Sequence, residues 1–395
     1  MKKSVYILGA KRTPFGTFGG ALKDVSATDL TVSCSKAAIS QSGIDPKSID
    51  HVVIGNVVQS ASDSIYLPRH VGLKCEIPTD VPALGINRLC GSGFQSWVNA
   101  YQMIQEDEAS VVLAGGAEQM SQIPYVVRGA RFGMRMGHGE VEDFMIASLT
   151  DQFTGMPMAI TAENLAEQFK ISREEVDKYA LMSQMRCKLA NDKGLFKEEI
   201  STVSVATRKG TTEVEKDEHP RPDATLEALL KLKPVFKKDG VVTAGNASGI
   251  VDGAAATILA SEERVKQFGA KPLARLVSYA SVGCDPKIMG IGPVNAIKKA
   301  LIRAGMKIDQ MDLVEVNEAF SAQFLAVQKS LELDLEKTNV NGGAIAIGHP
   351  LGASGTRIMN HLVYELIRRK KKYAVGSACI GGGQGIAVVI ENTTI

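Results

Sequence analysis

The feature that most constrains the fold is an internal duplication. Residues 38–56 align without gaps on residues 300–318, and each copy reads as a helix, a short connector and a β-rich run. The helices are expected to end at Gly43 and Gly305, because glycine accepts the left-handed conformation found just past helix ends. In each copy a glycine-rich segment, another helix and another apolar strand follow. The repeat predicts two α/β halves with mostly parallel sheets covered by helices.

Between the two halves lies a segment of different character, residues 121–249. It carries charge clusters such as Arg173-Glu-Glu and one helical stretch predicted from Thr161 to Leu189. A long insertion in a duplicated core is typical of an element that covers substrate, and a surface decoration is the alternative. We therefore predict a first half of residues 1–120 plus 250–268, an inserted loop domain of residues 121–249, and a second half of residues 269–395.

Composition and charge exclude several classes of protein. The chain has 395 residues, enough for two or three domains at roughly 100–200 residues each. Its 45 basic and 43 acidic residues give a net charge of +2, which offers no strong field for nucleic acid or an anionic membrane. The most apolar long window, 241–260, contains polar residues that exclude a membrane span. Six cysteines without a CxxC pair indicate a soluble protein of a reducing compartment, and no cleavable secretory signal is expected.

Cys90 is the first candidate for chemistry. It stands in the run Cys90-Gly-Ser-Gly, between a predicted strand over 84–89 and a helix whose apolar residues start at Phe94. A cysteine at a helix N-terminus is favoured as a thiolate, and flanking glycines let a ligand approach the backbone. The alternative is a buried structural cysteine.

His349 is the second candidate, in a loop with five glycines and a proline between 340 and 355. A neutral imidazole is the usual base for activating a thiol. The five other histidines lack such a setting and are expected to be structural.

Cys379 and Asn317 each end a predicted strand. Cys379 precedes a glycine run, whose exposed N–H groups favour an oxyanion site. A thiol beside such a site is a candidate for an acid–base role. Asn317 precedes a predicted helix over 321–329, so a helix cap is as good an interpretation as catalysis. No cluster has the spacing of metal ligands, and we expect no catalytic metal.

Four motifs in order resemble the thiolase family: Cys90-Gly-Ser-Gly, Asn317-Glu-Ala-Phe, Gly348-His-Pro and Cys379-Ile-Gly-Gly-Gly. The resemblance covers essentially the whole chain. It implies an α/β thiolase fold with two similar five-layer halves and a loop domain inserted in the first. The sequence around Cys90, from Asn87 to Ser96, looks most like that of the mitochondrial-type 3-ketoacyl-CoA thiolases (acetyl-CoA acyltransferases).

The resemblance implies a role for each candidate. Cys90 would be the acylated nucleophile, and His349 the base that takes its proton. Cys379 would move a proton at C2 of the acetyl unit, and Asn317 would hold a water that stabilises the enolate oxygen with His349. The N–H groups of Cys90 and Gly381 would form a second oxyanion hole. Such a division suits cleavage of a carbon–carbon bond between two carbonyls, since two oxyanions develop at different moments.

Coenzyme A would then be a co-substrate, with no tightly bound cofactor. By resemblance Arg221 packs on its nucleotide and Ser248 contacts the pantetheine arm, and without the family a surface arginine and a turn serine would be preferred. The substrate loop Met156-Pro-Met departs from acetoacetyl-specific enzymes, since Pro157 replaces a histidine before Met158. The resemblance also implies a homotetramer, in the mitochondrial matrix of a eukaryote or the cytoplasm of a bacterium.

The sequence thus predicts CoA-dependent cleavage of 3-ketoacyl-CoA in fatty acid β-oxidation. Three alternatives stay open. The first is an acetyltransferase that makes acetoacetyl-CoA. The second is a decarboxylating ketoacyl synthase, which the second cysteine, Cys379, disfavours. The third is a CoA or lipid carrier that has lost the chemistry, which the intact set of four motifs disfavours.

Overall fold

The computed structural model describes residues 3–208 and 210–395, and its main body is a mixed sheet. The strands are β1 Val5–Arg12, β2 Gly16–Thr17, β3 His51–Gly55, β4 Ala83–Ile86, β5 Val111–Glu118, β6 Tyr125–Val126, β7 Glu142–Asp143, β8 Thr150–Asp151, β9 Met156–Pro157, β10 Val203–Thr207, β11 Gly210–Val214, β12 Val251–Ser261, β13 Ala274–Gly283, β14 Leu313–Val316, β15 Tyr373–Ile380 and β16 Gln384–Asn392.

The helices alternate with these strands in both halves. They are α1 Ala27–Ser42, α2 Leu67–Lys74, α3 Ser92–Gln105, α4 Phe144–Ser148, α5 Met158–Gln168, α6 Arg173–Asp192, α7 Leu226–Leu230, α8 Glu262–Phe268, α9 Gly292–Ala304, α10 Ser321–Leu331, α11 Ala344–Ile347 and α12 Leu351–Arg369. Within the residues that the structure describes, no helix is both long and apolar enough to cross a bilayer.

The two halves repeat one strand order, which confirms the duplication. In the first half the order is β4-β3-β5-β12-β1. In the second it is β14-β15-β16-β13, with a short parallel bridge at Thr338 on the outer side of β14. Antiparallel pairing of β1 with β13 joins the two sheets edge to edge, with Val5 opposite Leu276. The predicted helix ends are also confirmed, since Gly43 and Gly305 have φ of 70° and 69°.

Helices α3 and α12 form a layer between the two half-sheets. Their buried side chains, such as Trp97 and Leu362, share one apolar cluster with strand residues of both halves. On the outer faces, α1 and α2 cover the first half-sheet, and α9 and α10 cover the second. The result is five layers, helix–sheet–helix–sheet–helix, which the two halves build together.

The inserted segment holds α4 to α7 and three small hairpins. The helical stretch predicted from Thr161 to Leu189 is two helices, α5 and α6, because Lys170 takes a positive φ of 51° and ends the first. Ser172 then starts α6 with a capping box to Glu175. The apolar face of α5 packs against α10 of the second half, which fixes the inserted segment beside that half.

Candidate active site

Cys90 lies in the turn that joins strand β4 to helix α3. Leu89 has a positive φ of 46°. The Ser92 hydroxyl accepts a hydrogen bond from the Arg88 N–H (2.9 Å) and donates one to the Leu89 carbonyl (2.7 Å). Because these residues form the turn, β4 ends at Ile86 and the strand predicted over 84–89 is too long. Cys90 is therefore held at the N-terminal end of α3.

The Cys90 turn lies against the end of strand β15. A Cβ on Gly91 would be 2.5 Å from Ile380 Cδ1, so a larger residue here would have to displace the buried Ile380 side chain. The Gly381 N–H faces the Cys90 sulfur and favours its charged form. Burial raises the pKa of the Cys90 thiol to about 11, the Gly381 N–H opposes that rise, and the Glu118 carboxylate adds to it. Cys90 is thus a neutral thiol near pH 7 and needs a base before it can attack.

His349, between α11 and α12, is a buried neutral imidazole. Burial lowers its pKa to about 3, and the Arg357 guanidinium adds to the effect. Its Nδ1 lies 2.6 Å from Ser354 Oγ, whose own hydrogen is donated to the Pro350 carbonyl (3.1 Å). Nδ1 must therefore carry the proton and donate to Ser354. Nε2 is left as an acceptor, 3.3 Å from the Asn317 amide nitrogen, and can take a proton.

Asn317 and Cys379 lie beside each other at the ends of β14 and β15. The Asn317 N–H donates to the Ser377 carbonyl (2.9 Å), which continues the parallel pairing of the two strands. Asn317 Oδ1 is buried and has no hydrogen-bond partner within the described residues, so it can accept from a ligand or water. Burial raises the pKa of Cys379, and the nearby thiols of Cys90 and Cys284 raise it further by a smaller amount. Cys379 is a protonated thiol at neutral pH and can act as an acid.

The central helices bring the two groups of residues together. A Cβ on Gly93 would lie 2.5 Å from the Thr356 nitrogen, and one on Gly355 would lie 2.3 Å from the nitrogen of Phe94. Glycine at both positions lets α3 and α12 touch backbone to backbone in their first turns. Cys90 and His349, which precede those turns, are therefore carried to the same end of the middle layer by different halves of the chain.

A cleft of about 320 Å³ opens in the inserted segment. Arg221 lies on its wall with an exposed side chain, and the Arg221 N–H donates to Gln184 Oε1 (2.9 Å). His219 lines the same wall, where its Nδ1 lies 2.8 Å from the Ala346 carbonyl. The sequence gives His219 no role, and its neighbour Arg221 is the signal that places it on the cleft. The wall mixes apolar residues with Gln184, Asp223 and Thr225, and the Arg221 guanidinium is the group on it that suits a ligand with phosphate groups.

Ser248 lies between this cleft and the buried thiols. The Ser248 N–H donates to the Ala319 carbonyl (3.0 Å), and Ala319 packs in the same small cluster as Cys379. The next residue, Gly249, accepts a hydrogen bond from the His349 N–H (2.9 Å). A ligand that runs from the Arg221 wall toward Cys379 would pass Ser248.

Comparison with protein families settles the membership of the chain. The family model "Thiolase, N-terminal domain" matches residues 5–263, and "Thiolase, C-terminal domain" matches residues 270–392. The chain belongs to the thiolase family. This confirms the resemblance carried by the four motifs and the predicted thiolase fold.

Two curated relatives cover nearly the whole thiolase chain. The mitochondrial 3-ketoacyl-CoA thiolase of Homo sapiens is 62% identical over 392 residues, 99% of each chain. An acetyl-CoA acetyltransferase of Pseudomonas aeruginosa is 46% identical over 390 residues, 98% of this chain and 99% of its own. The crystal structure of human mitochondrial 3-ketoacyl-CoA thiolase superposes with a TM-score of 0.98 at 61% identity, over 99% of each chain. Its complex with CoA gives 0.97 at 61% identity, over 99% of this chain and 98% of that one.

In this thiolase the segment Met156-Pro-Met, which the resemblance predicts to be the substrate loop, brings Met158 beside Cys379. Met158 begins α5 and packs in the cluster that contains Cys379, and its sulfur lies 3.4 Å from the place of a Cβ on Gly381. Met156 and Pro157 form β9, which pairs with β8, and both are half-buried. The lining beside Cys379 is therefore a flexible methionine, and Pro157 acts by fixing the backbone just before it.

One further feature of the thiolase site escapes sequence reasoning. Ser354, which fixes the tautomer of His349, is one serine among many until helix α12 places it one turn after the histidine. No group of three or more His, Cys, Asp or Glu within residues 3–208 and 210–395 is arranged to hold a metal ion.

Proposed function

We propose that this chain is a 3-ketoacyl-CoA thiolase of fatty acid β-oxidation. It uses coenzyme A to cleave 3-ketoacyl-CoA into acetyl-CoA and an acyl-CoA that is two carbons shorter, in a reversible reaction. The observation that carries the assignment is the 62% identity, over 99% of both chains, to a mitochondrial 3-ketoacyl-CoA thiolase. The arrangement of Cys90, His349 and Cys379 supports the chemistry.

In the first step, we propose, His349 Nε2 removes the Cys90 proton as the sulfur attacks the 3-keto carbon. The tautomer supports this role, because Nε2 is the unprotonated nitrogen. The bond between C2 and C3 then breaks, leaving an acyl group on Cys90 and the enolate of acetyl-CoA. The Gly381 N–H, which favours the charged form of the sulfur, would bind the oxyanion at C3 together with the Cys90 N–H.

The enolate is quenched, in this proposal, by the Cys379 thiol, which gives its proton to C2. The raised pKa of Cys379 supports an acid that is protonated at neutral pH. Asn317, whose Oδ1 lacks a partner, would hold a water that donates to the enolate oxygen together with protonated His349. Coenzyme A then gives its thiol proton to the Cys379 thiolate and attacks the acyl group on Cys90. The shortened acyl-CoA is released, and the departing Cys90 thiolate takes its proton back from protonated His349.

Coenzyme A is the proposed occupant of the cleft beside Arg221. Support comes from the related human structure described as a complex with CoA, and from the line of Arg221, Ser248 and Cys379. The Arg221 guanidinium would contact the nucleotide, and Ser248 the pantetheine arm. We propose CoA as a co-substrate that leaves with each turnover, with no tightly bound cofactor.

A homotetramer, a dimer of dimers, is the proposed assembly. Support comes from large apolar side chains that one chain leaves in water, among them Phe132 at 92% exposure on the inserted segment and Ile65 at 59% beside α2. Burying such surfaces against other copies would be favourable. Sedimentation velocity would give the mass, and a monomer at micromolar concentration would contradict the proposal.

The location and the domain limits are also proposals. The mitochondrial names of the most similar relatives support the mitochondrial matrix for a eukaryotic source, and the cytoplasm would apply to a bacterial one. The repeated strand order supports a first half of residues 1–120 plus 250–268, an insertion of 121–249, and a second half of 269–395.

The deciding experiment follows the CoA-dependent loss of absorbance of the magnesium–3-ketoacyl enolate, with intact-mass spectrometry of protein given substrate but no CoA. We expect turnover, and an acyl adduct that peptide mapping places on Cys90. Cys90→Ala should abolish both, whereas Cys187→Ala, which changes a buried cysteine outside the site, should keep them. Binding of CoA esters without turnover would make the chain a carrier, and an adduct on Cys379 would overturn the division of roles.

A further inference from the structure

Glu118 is a fully buried carboxylate at the end of β5. Its Oε1 accepts hydrogen bonds from the Val58 N–H (2.9 Å) and the Asn56 side chain (3.2 Å). Its Oε2 accepts from the Gly352 N–H (2.8 Å) and the Val57 N–H (3.2 Å). This carboxylate of the first half therefore ties a loop of its own half to the first turn of α12 in the second half.

Glu318 is a second fully buried carboxylate, next to Asn317 in the chain. Its Oε1 accepts from the Tyr179 hydroxyl (2.7 Å) and the Asn339 side chain (3.1 Å). Its Oε2 accepts from the Ser183 hydroxyl (2.7 Å) and the Ile345 N–H (3.1 Å). This carboxylate of the second half ties helix α6 of the inserted segment to helix α11.

The two carboxylates hold the same short segment at its two ends. Ile345 comes four residues before His349 and Gly352 three residues after it. Between them, the His349 N–H donates to the Gly249 carbonyl (2.9 Å). We propose that Glu118 and Glu318 are positioning residues that fix segment 345–352 and thereby aim His349 at Cys90; this inference rests on the proposed function.

A carboxylate is required at both places because each oxygen faces two donors. A glutamine would turn one oxygen into an NH2 group. At position 118 the NH2 group would face the Val58 N–H in one orientation of the amide. In the other orientation it would face the N–H groups of Val57 and Gly352. At position 318 it would meet the Asn339 amide or the Ile345 N–H. Either substitution therefore loosens the segment, and a misplacement of 1 Å near the chemistry can cost about 10²-fold in rate.

The test compares Glu118→Gln and Glu318→Gln with a matched control, Glu365→Gln. Glu365 is also a buried carboxylate and pairs with Arg369 (2.7 Å), but it lies at the far end of α12. We expect kcat for cleavage to fall about 10-fold to 10²-fold in the first two variants, with KM for CoA within about threefold. Glu365→Gln should keep kcat within about twofold, since it does not touch segment 345–352.

A second readout separates positioning from general damage. Iodoacetamide reacts with the small fraction of Cys90 that is thiolate at equilibrium, so its rate reports on that fraction and does not require an aimed His349. Glu318→Gln should leave this rate within about twofold, because its carboxylate does not act on the thiol. Glu118→Gln should raise it at pH 8, because burial raises the pKa of Glu118 to about 7 and above that pH its charge opposes the thiolate. If Glu318→Gln does not fold, two milder variants replace it: Tyr179→Phe and Ser183→Ala, which each remove one donor to Glu318. Each should lower kcat, by a factor smaller than about ten, and leave the alkylation rate unchanged.

Each outcome decides a different question. A wild-type protein without CoA-dependent cleavage would refute the proposed function. An active wild type whose Glu118→Gln and Glu318→Gln variants keep full kcat would refute the positioning role. Variants that lose kcat, KM and alkylation together, with a lower unfolding temperature, would show that the carboxylates only stabilise the fold.

Discussion

Ser354→Ala tests whether one hydroxyl sets the protonation of the base. In the structure, Nδ1–H of His349 donates to Ser354 Oγ at 2.6 Å in a fully buried site. Removing the hydroxyl leaves a buried donor without a partner, which costs about 1–3 kcal/mol. The other tautomer meets no obstacle, since Asn317 can rotate its amide and use the free Oδ1 to accept from Nε2–H.

The imidazole should therefore shift toward the tautomer whose Nε2 cannot take the Cys90 proton. At about 1.4 kcal/mol per factor of ten, the shift predicts a loss of about 5-fold to 150-fold in kcat. Acylation measured by rapid quench and intact mass should slow equally, and KM for CoA should stay unchanged because Ser354 lies away from the cleft.

Ser96→Ala is the matched control for this prediction. Ser96 stands in the first turns of α3, is equally buried, and donates to the Gly93 carbonyl (2.8 Å), but it does not touch His349. We expect this variant to keep kcat within about twofold. Full activity in Ser354→Ala would refute the tautomer argument. Equal losses in both variants would show that the hydroxyls matter for helix packing instead.

Three other predictions concern the thiols and the acyl chain. Cys379→Ala should still take an acyl group from acyl-CoA onto Cys90 but lose carbon–carbon cleavage by at least about 10²-fold, the scale for removing a positioned acid. Equal damage to both half-reactions, measured by intact mass and by enolate absorbance, would make Cys379 structural. Since burial raises the pKa of Cys90 to about 11 and lowers that of His349 to about 3, both are neutral from pH 5 to 9. Alkylation of Cys90 by iodoacetamide should then rise about tenfold per pH unit between pH 7 and 10, and a plateau below pH 8 would indicate a thiolate–imidazolium pair instead. With Met158 beside Cys379, kcat/KM should be higher for 3-ketohexanoyl-CoA and 3-ketooctanoyl-CoA than for acetoacetyl-CoA, because each buried methylene gains about 0.8 kcal/mol. Steady-state kinetics that peak at acetoacetyl-CoA and collapse by six carbons would contradict it.

Features that the sequence predicts well are those with a local signal. The helix ends at Gly43 and Gly305 follow from glycine's tolerance of positive φ, and the repeat predicts two halves of the same architecture. The prediction of mostly parallel sheets is wrong, because β12 and β16 each pair antiparallel with the strands on both sides. The break between α5 and α6 also had a signal, since Ser172 and Glu175 form a capping box. The prediction of one helical stretch missed it because the apolar spacing continues across the break.

Features that depend on distant contacts could not be predicted. Glu118 looks like any surface carboxylate in the sequence, and Glu318 stands in the Asn317-Glu-Ala-Phe motif without a role of its own. Only the folded chain shows that each meets four donors from several elements. His219 lacks surrounding glycines, so the sequence predicts a structural role for it. In the structure it stands on the cleft wall, because its ring packs against Gly249. The contact partners of such residues come from remote parts of the chain, so no local pattern announces them.

The meeting of α3 and α12 has a consequence for synthesis on the ribosome. Cys90 emerges with the first half, but His349, Cys379 and the Gly381 N–H belong to the second and emerge last. At a translation rate of about 5–20 residues per second, tens of seconds separate the synthesis of Cys90 from that of His349. During that time the nascent chain has a cysteine but no means of acylating it. On the proposed mechanism, the enzyme therefore acquires its reactivity only after β15, which carries Cys379, has been synthesised and inserted.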